Sequence, residues 1–386
     1  MEFNELFAIA TKIEQGPYPY QHRFATDERL PDLLSVPTGV GKTAAAILGW
    51  LYRRRFAKES IRRSTPRRLV YCLPMRTLVE QTQKFAEEWI VNLVERTKLK
   101  KGEVKVHLLM GGVDRSDWDE WPEREAILIG TQDMLLSRAL NRGYGMSRYR
   151  WPMHFGLLNN DCLWVFDETQ LMGVGLITSA QLHGFRTKLT TFGSSHSIWM
   201  SATLETKQLM TVDHPEPVNG YETQALSSED RKNGRVKRRL VAKKSVAKSK
   251  VAITPEAEKK GYAKELAVAI QSAHQPLSLT LVVVNRVARS QDIFTELHKL
   301  KKKGLEAELA IIHARFRPSD RKNQEERLFD KALPAAGRIV VATQAIEAGV
   351  DVSAKTMFTE LAPWPSLVQR FGRCNRGGEF SDASIQ

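Results

Sequence analysis

Short apolar runs, most of them followed by a stretch of helical periodicity, recur along this 386-residue chain. The first series is DLLSV (32–36), RLVYCL (68–73), AILIG (126–130), CLWVF (162–166) and SIWM (197–200). The second is LTLVVV (279–284), LAIIH (309–313), RIVVA (338–342) and TMFTEL (356–361). Runs without a polar alternate position are buried on both faces, which antiparallel sheets seldom need and parallel sheets require. The pattern predicts an α/β fold of mostly parallel sheets with helices on both faces, built twice. Two helices are explicit: Thr43–Phe56, and Thr77–Val94 with Leu78, Phe85, Trp89 and Leu93 at helical spacing. A third is expected over Ser290–Leu300, with Lys299–Lys303 at its C-terminal end.

Between the series the composition changes. Residues 231–250 carry ten Lys or Arg and no acid. We read a first domain over 1–225, a basic linker and start of the second domain over 226–260, and a second domain over 261–386, with RRLVA (238–242) as a candidate opening strand. The formal charge of +14 favours a polyanionic partner, although a solvated basic linker explains the run equally well. No apolar run approaches the ~18 residues of a membrane span. The N-terminus MEFNELFAIATKIEQ lacks the order of a secretory signal, and Cys72, Cys162 and Cys374 have no metal-type spacing. A cytoplasmic protein is expected, with no membrane partner.

The chemistry starts at VPTGVGKT (36–43), between a strand and an alanine-rich helix. Gly39 and Gly41 allow the sharp turn that points amides of Thr38, Val40 and their neighbours inward, and the helix N-terminus adds positive potential. Lys42 would reach the terminal phosphates of a nucleotide and Thr43 would ligate Mg²⁺. Val36 stands where such loops usually open on a small residue. CLWVFDETQ then ends a strand on two acids: Asp167 to hold Mg²⁺, and Glu168 to orient and deprotonate water, with Gln170 beside them. Ser201 and Thr203 follow the next strand and would couple the site to the rest of the molecule. Near the end, QRFGRCNR places Arg370, Arg373 and Arg376 at i, i+3 and i+6, expected to line one helical face, with Gln369 beside them; guanidinium groups suit a γ-phosphate. Trp118 and Trp121 are expected as loop anchors, and His313 as a strand-end packing residue.

VPTGVGKT, DETQ, SAT, ATQAIEAGVDVS (342–353) and QRFGRCNR stand in the order seen in superfamily 2 helicases, which this chain resembles from about residue 17 to 378. DETQLM, HARFRPSDR (313–321), IEAGVDVS and QRFGRCNRGG are most similar to the helicase module of the CRISPR-associated helicase–nuclease of type I systems. GTQDMLLSRALNRGYG with FGLLNNDCLWVFDETQLMGVGL resembles the subtype whose nuclease domain follows the helicase. Thr169 stands where valine is common there.

The resemblance implies two tandem RecA-like domains sharing one site for ATP and Mg²⁺. Gln21 would read adenine, and Gly349 and Asp351 would join the ATP site. Arg76, Thr77, Gly111, Gly112, Thr131 and Asp133 would meet nucleic acid from the first domain, and Asn285, Arg286, Arg315 and Thr343 from the second. It implies a 3′-to-5′ single-stranded DNA translocase in antiviral CRISPR interference, recruited by a guide-RNA surveillance complex. None of the nine histidines precedes an aspartate, so the family's histidine–aspartate nuclease is expected on a missing segment or a separate chain. The second domain is expected to be C-terminally incomplete. An RNA- or duplex-remodelling ATPase and a non-hydrolysing DNA- or partner-binding module remain as alternatives.

Overall fold

The computed structural model describes residues 1–112, 117–201, 204–217, 219–254, 261–330, 332–347, 349 and 351–386. The chain divides into two compact units, Met1–Asn233 and Gly234–Gln386.

The first unit is a seven-stranded sheet in the order β3-β4-β2-β5-β6-β1-β7. Its strands are β1 (Leu33–Ser35), β2 (Arg68–Leu73), β3 (Val104–Leu109), β4 (Glu125–Thr131), β5 (Cys162–Asp167), β6 (Ser195–Ser201) and β7 (Thr223–Ala225). Every described pairing in it is parallel. All residues of β2 and β5 are buried, as uninterrupted apolar runs require when helices cover both faces. Alternate residues form one core: Val70, Cys72, Trp164, Phe166 and Trp199 with Met134, Leu135 and Leu176 of the covering helices. Because the strands run the same way, the segments after β1 and β5 leave at one edge, where open α/β sheets place their ligands.

The second unit is a six-stranded sheet in the order β10-β11-β9-β12-β13-β8, again parallel throughout its described pairings. Its strands are β8 (Ser245–Val246), β9 (Leu279–Val283), β10 (Glu308–Ile312), β11 (Arg338–Ala342), β12 (Thr356–Thr359) and β13 (Ser384–Ile385). Leu281, Val283, Val340 and Ala342 pack on one face and Val282, Val284, Ile339 and Val341 on the other, the two-residue alternation of a strand buried twice.

Three sequence expectations are corrected. RRLVA is not a strand: its first three residues end the helix Gly234–Leu240, and the strand that opens the sheet is β8. The long helix runs Arg76–Arg96, and its buried stripe is Val79, Thr82, Ala86, Trp89 and Leu93. Phe85 is exposed and stacks on Trp89, 5.8 Å between centroids, because the helix turns its apolar face one residue away from the expected line. Finally, the helix carrying the C-terminal arginines, Trp364–Phe371, stops before Arg373 and Arg376, so the three arginines do not share a helical face.

Candidate nucleotide site and nucleic-acid surface

The loop after β1 turns on Gly39 (φ 83°) and Gly41 (φ 80°), backbone that only glycine adopts without strain. Val36 is fully buried beneath it. Two side chains of the helix Pro19–Thr26 brace the loop from behind. The Tyr20 hydroxyl donates to the Val40 carbonyl at 2.7 Å, and the Gln21 amide donates to the Gly41 carbonyl at 2.8 Å. The Gln21 carbonyl meanwhile accepts from the Tyr18 amide at 2.8 Å, so this side chain ties the loop to its own helix. A Cβ at Gly41 would stand 2.6 Å from the Gln21 amide nitrogen, a second reason for glycine there.

Lys42 and Thr43 open the helix Lys42–Arg55. Lys42 is 6% exposed, and its Nζ is buried without a hydrogen-bond partner. A buried ammonium that donates no hydrogen bond gains when an anion comes to meet it. That unfilled donor is the observation by which the loop fits a bound phosphate. Asp167, at the end of β5, is fully buried; burial raises its carboxyl to about pKa 6, against the pull of Lys42. Its Oδ2 accepts from the Tyr71 hydroxyl at 2.7 Å, and the Thr43 side chain lies close to the same hydroxyl. Asp167 and Thr43, the two residues expected to hold Mg²⁺, thus meet around Tyr71 of β2. One carboxylate and one hydroxyl suit that ion, which keeps waters and phosphate oxygens for its other positions.

Glu168 sits in the left-handed region (φ 51°), and its amide donates to Asp167 Oδ1 at 2.8 Å. Gln170 donates to Glu168 at 2.5 Å and accepts from the Ser201 hydroxyl at 2.8 Å. A polar relay therefore runs from the expected base to the end of β6. Thr203 lies outside the described residues.

In the second unit each arginine of QRFGRCNR has its own partner. Arg370 is 1% exposed; it pairs with Glu347 and donates to Thr359, to the Glu360 carbonyl and to Asn285. It is a structural hub, and through it the Asn285 side chain is held inward. Arg373 donates to the Glu347 carbonyl at 2.9 Å. Arg376 pairs with exposed Asp351 at 2.7 Å, close in sequence to Gly349, whose φ is 74°. Gln369 is buried. Lys244 caps the end of this helix, donating to the carbonyls of Phe371 (2.7 Å) and Cys374 (2.9 Å).

The expected nucleic-acid contacts fall at strand ends and helix starts. Arg76 is exposed and Thr77 half-buried at the head of the helix Arg76–Arg96. Gly111 and Gly112 form an open turn after β3, and Thr131 caps the helix Gln132–Ala139 with Asp133 exposed in its first turn. In the second unit Arg286 caps the helix Val287–Lys301, Arg315 is exposed, and Thr343 is buried after β11. His313 is buried and stacks on Phe316, as a packing residue would.

Three important residues escaped sequence reading: Tyr20, Tyr71 and Asp230. Asp230 is fully buried, accepts from the Tyr20 amide at 2.7 Å and pairs with Arg23, which anchors residues 227–233 to the first unit. Its signal was the capping box Ser227-x-x-Asp230.

Comparison with known proteins agrees with this architecture. The DEAD/DEAH box helicase model matches residues 26–212, and the C-terminal model of the CRISPR-associated nuclease/helicase Cas3 matches residues 277–379. The two matches fall one in each unit. Relatives include the CRISPR-associated helicase Cas3 of Thermoproteus tenax, 32% identical over 107 residues, 28% of this chain and 18% of that protein. The nuclease/helicase Cas3 of Haloferax volcanii is 40% identical over 80 residues, 20% and 8% of the two chains. Against these curated relatives the matches span less than a fifth of their length. Among solved structures, T. fusca Cas3 superposes with a TM-score of 0.69 at 17% identity, over 98% of this chain and 47% of that one. The helicase MrfA bound to DNA gives 0.64 at 18%, over 100% and 50%. These likenesses establish the RecA-like helicase fold of both units. Among the described residues, no helix is long and apolar enough to cross a membrane.

Proposed function

We propose that the chain is the motor of a type I CRISPR effector: a Mg²⁺-ATP-dependent translocase on single-stranded DNA, moving 3′ to 5′. The observation that carries the nucleotide chemistry is the buried, unpartnered Lys42 amine beside Asp167, with Tyr71 and Thr43 closing the cluster. Lys42 and the loop amides would hold the phosphates; Thr43 and Asp167 would hold Mg²⁺, which would supply neutralisation of phosphate charge. Glu168 orients the attacking water and takes its proton, with Gln170 fixing the carboxylate and passing the state of the site to Ser201. Arg373 and Arg376 are the candidates to face the γ-phosphate, a role worth ~10³–10⁵ in rate. To do so each exchanges its present partner, the Glu347 carbonyl or Asp351, for the nucleotide. The family match supports a CRISPR role, with a guide-RNA surveillance complex as recruiting partner and the nuclease supplied by a further segment or a separate chain.

The test is steady-state ATP hydrolysis with and without single-stranded DNA. Stimulation that disappears in Glu168→Gln is the expected result; turnover equal in that variant and the native chain would leave a non-hydrolysing binding module. Stimulation by RNA exceeding that by DNA of equal length would favour the RNA-remodelling reading.

A further inference from the structure

The segment between the helices Gln132–Ala139 and Trp151–Asn159 has no part in the nucleotide site, yet it is built with unusual care. Over residues 140–155 it carries three arginines, two tyrosines and no acid. Tyr149 is 97% exposed and Tyr144 68%. A solitary exposed ring is ordinary; two held outward by a rigid turn are not. The turn closes when the Arg142 and Gly143 amides both donate to the Ser137 carbonyl, at 2.8 and 3.3 Å, and the Tyr144 amide donates to the Ser137 hydroxyl. Gly143 lies at φ 49°, and a Cβ there would stand 2.1 Å from the Trp151 ring. The far side is fastened by Asp119, whose side chain is 1% exposed and holds both Arg150 and His154. The fold therefore fixes the base of the segment and leaves Tyr144 and Tyr149 with their faces in solvent.

We propose that this segment is a stacking platform for single-stranded nucleic acid, extending the surface that begins at Thr131 and Asp133. Bases stack on Tyr144 and Tyr149 while Arg142 and Arg148 meet phosphates, the alternation of rings and guanidinium groups by which single strands are held without regard to sequence. A duplex hides its base faces and gains only the charge term. The intervening helix of eight residues spans about 12 Å, so the platform lies one short helix beyond the expected backbone contacts. The adjoining loop adds Trp121, covered by Arg124 at 4.2 Å; its exposed Glu120 and Glu123 limit the basic field to the tyrosine segment.

The inference rests on the reading of the chain as a nucleic-acid-dependent ATPase, and the experiment separates the two. Affinity for a labelled 30-nucleotide oligothymidylate is measured at fixed salt for the native chain, Tyr144→Ala/Tyr149→Ala and Tyr144→Phe/Tyr149→Phe, alongside ATP hydrolysis. The alanine pair is expected to weaken binding roughly ten-fold or more, to raise the DNA concentration for half-maximal stimulation, and to leave maximal and DNA-free hydrolysis unchanged. The phenylalanine pair, which keeps the rings, stays near the native value. A 5-iodouracil-substituted strand is expected to crosslink within residues 140–155. Binding unchanged in the alanine pair, with no crosslink there, overturns the platform while leaving the motor reading intact. A native chain that neither binds nor responds to DNA overturns both.

Discussion

Tyr71 shows what one hydroxyl contributes. It lies on the strand next to β5, fully buried, and donates to Asp167. Tyr71→Phe keeps the ring and removes only that bond, so the fold persists. A hydrogen bond to a charged group is worth about 1.5–3 kcal/mol. We expect ATP hydrolysis to fall roughly ten-fold or more, with a higher Mg²⁺ concentration at half-maximal rate, read from Mg²⁺ titrations of turnover. Arg370 predicts the opposite division. Its guanidinium is buried with Glu347, Asn285, Thr359 and the Glu360 carbonyl. Arg370→Ala leaves Glu347 buried without its ion partner and should cost about 3–5 kcal/mol of stability, seen as a lower melting temperature. The sequence marked Arg370 only as one of three similar arginines. It could not tell which of the three is the hub, because that depends on a carboxylate 23 positions away in the sequence.

At the scale of elements, most strands were legible because burial on both faces writes itself as an unbroken apolar run. RLVYCL and RIVVA coincide with β2 and β11 to the residue. Those that escaped, β3, β7, β8 and β13, are edge strands, very short, or polar on one side; VKVHLL carries Lys105 and His107 amid its apolar positions. The C-terminal arginine helix stops at Phe371, and Lys244 holds its last carbonyls across 127 residues of sequence. Burial lowers the Lys244 pKa, yet the two carbonyls keep its ammonium occupied. Lys244→Met removes the cap and is expected to slow hydrolysis by roughly two- to ten-fold, with Lys244→Arg restoring most of it. Equal rates in all three proteins would show that the loop holds Arg373 without this lysine.

For the whole molecule, two units with separate cores predict two melting transitions by calorimetry. Arg370→Ala should lower only one of them, and a single transition shifted as a block would show that the units unfold together. Acid adds a second test on the first unit. His183 packs against His196, Trp199 and His214, and burial, with nearby Arg186, depresses its pKa to about 3 from 6.5. A histidine kept neutral in the fold but free to charge when unfolded stabilises above pH 6.5 and loses that contribution as pH falls toward 3. The first unit's melting temperature should therefore drop across this window, and His183→Gln should flatten the slope.

By itself the sequence determined the class of fold, and it singled out the glycine loop, the acid pair and the order of motifs. Each of these is local: a run of apolar residues, two glycines, or acids at a strand end carry their physical reason within a few positions. Tertiary structure alone decided that Tyr20 and Gln21 brace the loop, that Tyr71 donates to Asp167, and that Asp230 draws the basic segment's start into the first unit. It also decided that Arg370 and Arg373 are buried while Arg376 pairs with an exposed acid. Those bonds join residues up to 210 positions apart, and a hydrogen bond across such a distance leaves no periodicity in the chain for the eye to find.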